Sequence, residues 1–196
     1  MRKTEFVYRE LLFQALEKGQ RRFTQKQLAE RLGVSLSNVN HALAPLRRMN
    51  ALKVGPRGFS LVNPKKVLMY WASNRQLEKD VAYRTRVEAG VADIEKGMAG
   101  DAVFAAYSAY KFRFKDTPAD YSEAYVYASD LEEMKKRFPE RKGNANLVVM
   151  EKDELMESYG KTGSIAQIFV DLWNLPEWYA KDFLKELEAR VDALLE

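Results

Sequence analysis

Residues 24–50, TQKQLAERLGVSLSNVNHALAPLRRMN, carry two helix start signals with one breaker between them. Thr24 with Gln27 three residues on is a capping box, in which a hydroxyl satisfies an otherwise orphaned backbone amide. Leu28, Ala29 and Leu32 then recur at helical spacing, Gly33 ends the run, and Ser35 caps the next helix. A pair this short with so tight a turn must cross steeply, which is the geometry of a helix-turn-helix. In the second helix Val39, Leu43, Leu46 and Asn50 form a row with Ala42 beside it. Ser37, Asn38 and His41 then fall outward near its start, with Arg47 and Arg48 after them. Short hydrogen-bonding groups followed by cations suit a helix lying in the major groove, with base readers at one end and phosphate contacts around them. An ordinary amphipathic helix pair is the alternative. Pro45 removes the bond to the carbonyl of His41 and predicts a kink beyond the first two turns.

Charge favours the nucleic-acid reading. The net charge of +4 hides a division: residues 1–66 hold 14 Lys/Arg against 4 Asp/Glu, and residues 67–196 hold 18 against 24. A +10 segment attracts polyanions, while the acidic remainder suggests a second task. Hydrophobic residues make up 46% of the 196, enough to bury a core, so disorder throughout is excluded. The absence of Cys excludes disulfides and thiolate zinc sites and fits a reducing cytoplasm. MRKTEFVYRE has no long apolar run, so no signal peptide is expected, and no stretch of about 18 apolar residues occurs in the chain, so no membrane span is expected.

Around the central pair, Glu5–Lys18 reads as a first helix with Phe6, Leu12, Phe13 and Leu16 inward. Leu52–Val54 and Phe59–Val62 are β-prone and flank Gly55-Pro56-Arg57-Gly58, a turn sequence, so they predict a hairpin with Arg57 at its tip. Such a hairpin beside a helix-turn-helix is a wing, and an arginine there suits the phosphate backbone. Asn63-Pro64 marks a boundary. The predicted division is residues 1–63 as a winged helix-turn-helix, 64–76 as a connector, and 77–196 as an α/β regulatory or interaction domain. Within the last, Leu77–Lys96 reads as a long helix, and the alternating Tyr110, Phe112 and Phe114 read as a strand. Glu123–Ala128 and Leu147–Met150 are strands with a crossover helix, Asp130–Arg137, between them. Ser164 with Gln167 opens a helix through Trp173, and Trp178–Leu195 is a final helix with Leu184, Leu187, Val191 and Leu194 on one stripe. The fold class is therefore α/β overall, the second domain being a small mixed sheet flanked by helices.

The order helix, helix-turn-helix, wing, then NPKKVLMYWA resembles prokaryotic winged-helix transcription regulators. SIAQIFVDLWNLPE adds a narrower resemblance, to the AbiEi-like antitoxins of type IV toxin–antitoxin systems, through Ser164, Gln167, Phe169, Asp171 and Leu172. The resemblance implies a DNA-binding, autoregulating repressor with a C-terminal α/β domain, double-stranded DNA as its partner, and a homodimer and a toxin protein as further partners. A stand-alone regulator of the same build fits it equally.

Catalytic patterns are weak. His41 is the sole histidine and lies in the expected reading helix, where a DNA contact suits it better than a triad. Gly160-Lys161-Thr162 ends like a phosphate-binding loop, but Leu155 stands where the earlier glycine is required. Glu132/Glu133 and Glu151/Asp153/Glu154 read as solvated faces, and Asp171, set among apolar residues, as a structural acceptor. The sequence thus predicts a sequence-specific DNA-binding regulator, cytoplasmic and non-enzymatic, with no cofactor or metal. Ser37, Asn38, Asn40 and His41 are its base-contact candidates, and Thr24, Gln25, Lys26, Arg47, Arg48 and Arg57 its phosphate-contact candidates. Two alternatives remain: a regulator with a small-molecule pocket lined by the aromatic run Tyr107–Phe114, and a nucleic-acid-processing enzyme that uses the winged helix to hold substrate.

Overall fold

The computed structural model describes all 196 residues. The chain divides into two compact units, Met1–Arg75 with Ala189–Glu196, and Gln76–Glu188. No helix is long and apolar enough to cross a membrane.

In the first unit, α1 (Lys3–Glu17) is buried from Glu5 to Leu16 and packs on α3 and α4. Its buried carboxylates are paired. Glu5 accepts from Arg75 at 2.8 Å, Arg2 at 2.6 Å and the Trp71 indole at 3.3 Å. Glu10 meets Arg31 at 2.9 Å. Such pairing is the condition on which carboxylates enter a core. Helix α2 (Gln25–Leu32) is capped by Thr24, whose hydroxyl accepts the Gln27 amide at 3.2 Å. Gly33 stops it in the left-handed conformation, φ 61°, where a Cβ would be strained. Helix α3 (Leu36–Arg48) is capped by Ser35 and buries Val39, Ala42, Leu43 and Leu46. It continues past Pro45 to Arg48 as one helix. Asn50 is not part of its apolar row: at φ 56° it turns the chain out of the helix, and the Ala51 amide reaches back to the Leu46 carbonyl at 2.9 Å.

A three-stranded antiparallel sheet follows in the order β1-β3-β2, comprising β1 (Arg22–Phe23), β2 (Leu52–Gly55) and β3 (Gly58–Leu61). Strands β2 and β3 form the expected hairpin around Pro56-Arg57. Gly58 is obligatory, because a Cβ there would lie 2.3 Å from the Phe23 carbonyl oxygen of β1. Helix α4 (Pro64–Asn74), capped by Asn63, buries Val67, Leu68 and Trp71 and packs on α1. Residues expected to be a connector are thus part of the first unit's core.

The second unit is a mixed four-stranded sheet, β4-β7-β6-β5, formed by β4 (Val81–Thr85), β5 (Val103–Ala105), β6 (Ala124–Ala128) and β7 (Leu147–Glu151). Only β6 and β7 are parallel, and α7 (Leu131–Arg137) is the crossover between them. β6 is buried at all five positions, as a central strand covered on both faces must be. On one face Val126 and Val149 meet Ile94 of α5 (Val91–Lys96) and Met134 of α7. On the other, Tyr125 and Tyr127 meet α6 (Ala106–Phe114) and α8 (Ile165–Trp173).

Three expectations fail in this half. Leu77–Lys96 is not one helix: a 3-10 turn leads into β4, which alternates exposed Ala82 and Arg84 with buried Tyr83 and Thr85, before α5 begins. Pairing with β7 wins over local helix preference there. Residues 106–114 form helix α6 rather than a strand, because Ala106, Ala109 and Tyr110 share a buried face at helical spacing. In α9 (Ala180–Leu195) the buried row is Phe183, Leu187 and Val191, while Leu194 is exposed. Phe183 takes the place given to Leu184 by packing on Tyr107, Tyr110 and Tyr121.

Candidate nucleic-acid interface

The buried row of α3 fixes which side chains it can offer. With Val39, Leu43 and Leu46 inward, the opposite face carries Ser37, Asn40, His41 and Arg48, all exposed. Ser37 and His41 are one turn apart and Arg48 follows two turns after His41, so the three align along the helix. Asn38 lies at the edge of this face, half-buried, and its amide is taken by the Ser35 cap at 3.1 Å. Arg47 is also half-buried and donates to the Asn40 side-chain oxygen at 2.9 Å. That bond lays the Arg47 guanidinium along the helix beside the Asn40 amide.

The phosphate candidates separate into two groups. Thr24 and Arg57 line one open cleft of about 630 Å³, whose wall also includes Arg22, Gln27, Lys53 and Ser60. Gln25 is half-buried at the start of α2, and Lys26, exposed, makes only a long 3.8 Å contact with Glu30. The strand register accounts for the two added cations. Arg22 is the partner of Ser60, and Ser60 of Lys53, so the three form a row across the sheet. Phe23 and Phe59, one step along, face the core with their rings 5.8 Å apart. Arg22 and Lys53 escaped the sequence reading because β1 is two residues long and its pairing is non-local. The available signal was the alternation of cation with apolar residue in Arg22-Phe23 and Leu52-Lys53.

Burial of acids sharpens the positive surface. Of the four carboxylates in residues 1–66, Glu5 and Glu10 are buried in the ion pairs described above. The exposed cations of the α3 face and the hairpin therefore meet few competing anions, and a low density of fixed negative charge leaves them available to phosphate.

The segment Ser164–Leu172 has the opposite character. Ser164 caps α8 from a fully buried position, accepting the Gln167 amide at 3.1 Å. The Gln167 amide group donates to the Tyr127 hydroxyl at 3.2 Å and to Asp171 at 2.8 Å, and Tyr127 donates to the same Asp171 oxygen at 2.9 Å. Nearby, Glu177 accepts the hydroxyls of Tyr107 and Tyr125 at 3.1 and 2.7 Å. Tyr107 and Tyr110 fill space against their aromatic neighbours rather than line a cavity. Gly160-Lys161-Thr162 is engaged in structure: the Lys161 carbonyl accepts the Phe104 amide at 2.8 Å, and its ammonium donates to the Gly100 carbonyl. Glu132 and Glu133 pair with Lys135 and Arg137 at 3.1 and 2.7 Å, and no cluster of His, Asp or Glu has metal-holding geometry.

No family model, curated protein or solved structure matches the chain.

Proposed function

We propose that the protein is a sequence-specific DNA-binding transcriptional regulator, with residues 1–63 acting as a winged helix-turn-helix. One observation carries the reading: the solvent face of α3 joins short hydrogen-bonding side chains, Ser37, Asn40 and His41, to Arg48, beside a segment in which two of the four acids of residues 1–66 are buried in ion pairs. In this reading α3 enters the major groove, with its first two turns at base edges. Arg22, Lys53 and Arg57 meet the phosphate backbone, and the Thr24–Lys26 start of α2 offers main-chain amides to the same partner. The likeness of the chain to prokaryotic winged-helix regulators supports a build of this kind. The antitoxin-like segment is buried, so its own role is to hold the second unit together, and any protein partner would have to recognise other residues.

The test is enrichment of duplexes from a random pool by the full-length protein, followed by titration of the preferred duplex and a scrambled one. Ser37→Ala or His41→Ala costs about 1–3 kcal/mol on the preferred duplex and little on the scrambled one. Arg57→Ala weakens both alike and lowers the salt slope by about one. Equal losses on both duplexes for all three variants would contradict this division of roles, and failure to bind any duplex in dilute salt would end the reading.

A further inference from the structure

Leu36 is the first residue of α3, and it is 54% exposed although its neighbours Val34 and Val39 are buried. It begins the row that continues one turn later with Asn40, on the flank of the face that bears Ser37 and His41. A helical side chain leans toward the N-terminus of its helix, so Leu36 projects over the leading end of α3. This is the part of the helix nearest the floor of a major groove in the proposed docking. Its neighbours Ser35 and Ser37 are exposed hydroxyl-bearing residues, which its isobutyl group cannot complement. The base edges in that groove offer donors, acceptors and one apolar group, the C5 methyl of thymine.

We infer that Leu36 is a specificity residue that reads a thymine methyl in the major groove. The inference rests on the regulator reading above and deepens it by naming one base that the preferred site must contain. An apolar contact of this size removes roughly one methyl group and part of a leucine from water. Its contribution is therefore small, position-specific and insensitive to salt, in contrast to the phosphate contacts of Arg57.

Deoxyuridine differs from thymidine only by that methyl, which makes it the probe. In the preferred duplex enriched by the full-length protein, each thymine is replaced in turn by uracil and affinity is measured at constant ionic strength. At one thymine per bound site, the replacement weakens the wild-type protein by about threefold to tenfold. Leu36→Ala, an exposed change to a better helix former, keeps its fold and binds the thymine and uracil duplexes equally. The inference is overturned if no uracil replacement matters while Arg57→Ala still weakens binding, a result that leaves the regulator reading standing. It is also overturned if the thymine preference survives in Leu36→Ala. Absence of any enriched duplex would remove the inference together with the reading on which it rests.

Discussion

Helices α3 and α8 start in the same way and serve opposite purposes. Each is opened by a serine whose hydroxyl accepts the amide three residues on, at 3.1 Å in both. Each places polar side chains four residues apart, Ser37 and His41 in α3, Gln167 and Asp171 in α8. In α3 only four residues are buried and the polar pair meets solvent; in α8 all residues from Ile165 to Leu172 are buried. The difference lies in what the surroundings supply. Gln167 and Asp171 bond to each other and share Tyr127, which offsets part of their desolvation, while the Gln167 Oε1 is buried without a partner. Polar spacing alone therefore does not mark an interface; an interface also needs a face that the chain leaves open to another molecule.

The largest expected effect comes from breaking the interior case. Asp171→Ala removes the oxygen that accepts from both the Tyr127 hydroxyl and the Gln167 amide in a dry site and costs about 3 kcal/mol, read as a lower urea midpoint. Asp171→Asn keeps an acceptor and costs less. Duplex binding by either variant, measured where the protein is folded, stays unchanged; a selective loss of binding would blur the contrast between the helices.

Alkali attacks the same interior. Burial, then Glu177, pushes the hydroxyls of Tyr107 and Tyr125 far above the ordinary tyrosine value, and burial, then Glu95, does so for Tyr121. Tyr179 is pushed up to about 12 by burial and its bond to Glu123. A folded state that holds these protons more tightly than the unfolded one is fully favoured below about pH 10 and loses that advantage as pH rises toward about 12. Urea midpoints should accordingly be flat from neutral pH to about 9 and fall above 10. Ionisation of Tyr107, Tyr121 or Tyr125 in the still-folded protein, followed by their ring resonances, would contradict it.

The two caps give the smallest and most direct comparison. Ser35→Ala exposes an amide to water at the surface and costs about 1 kcal/mol. Ser164→Ala leaves its amide dry and costs about 2 kcal/mol. Equal losses in thermal melts would show that the two sites are not as differently solvated as their burial indicates.

What could be read from the sequence follows the range of the forces involved. α2, α3 and their caps were legible because Thr24, Gly33 and Ser35 act within one turn of chain. The hairpin was legible because Gly55-Pro56-Arg57-Gly58 is local turn chemistry, and the β6–α7–β7 crossover because its strands are apolar and carry tyrosine and valine. β1 was not legible, since two residues become a strand only by meeting β3 some 36 positions later. β4 was read as helix for the same reason: its partner β7 is distant in sequence. At the proposed interface, the exposed face of α3 followed from its apolar period, whereas the Arg22–Ser60–Lys53 row required strand register. The half-burial of Asn38 and the bond from Arg47 to Asn40 required coordinates.

His41 makes the central claim directly measurable, because the chain has a single histidine. Its imidazole proton resonances therefore report on the solvent face of α3 without assignment of the rest of the spectrum. As the preferred duplex is titrated into the full-length protein, these resonances should shift and saturate at the binding stoichiometry, and scrambled duplex at the same salt should move them far less. Binding that leaves the His41 resonances where they are in the free protein would mean that α3 is not the reading helix.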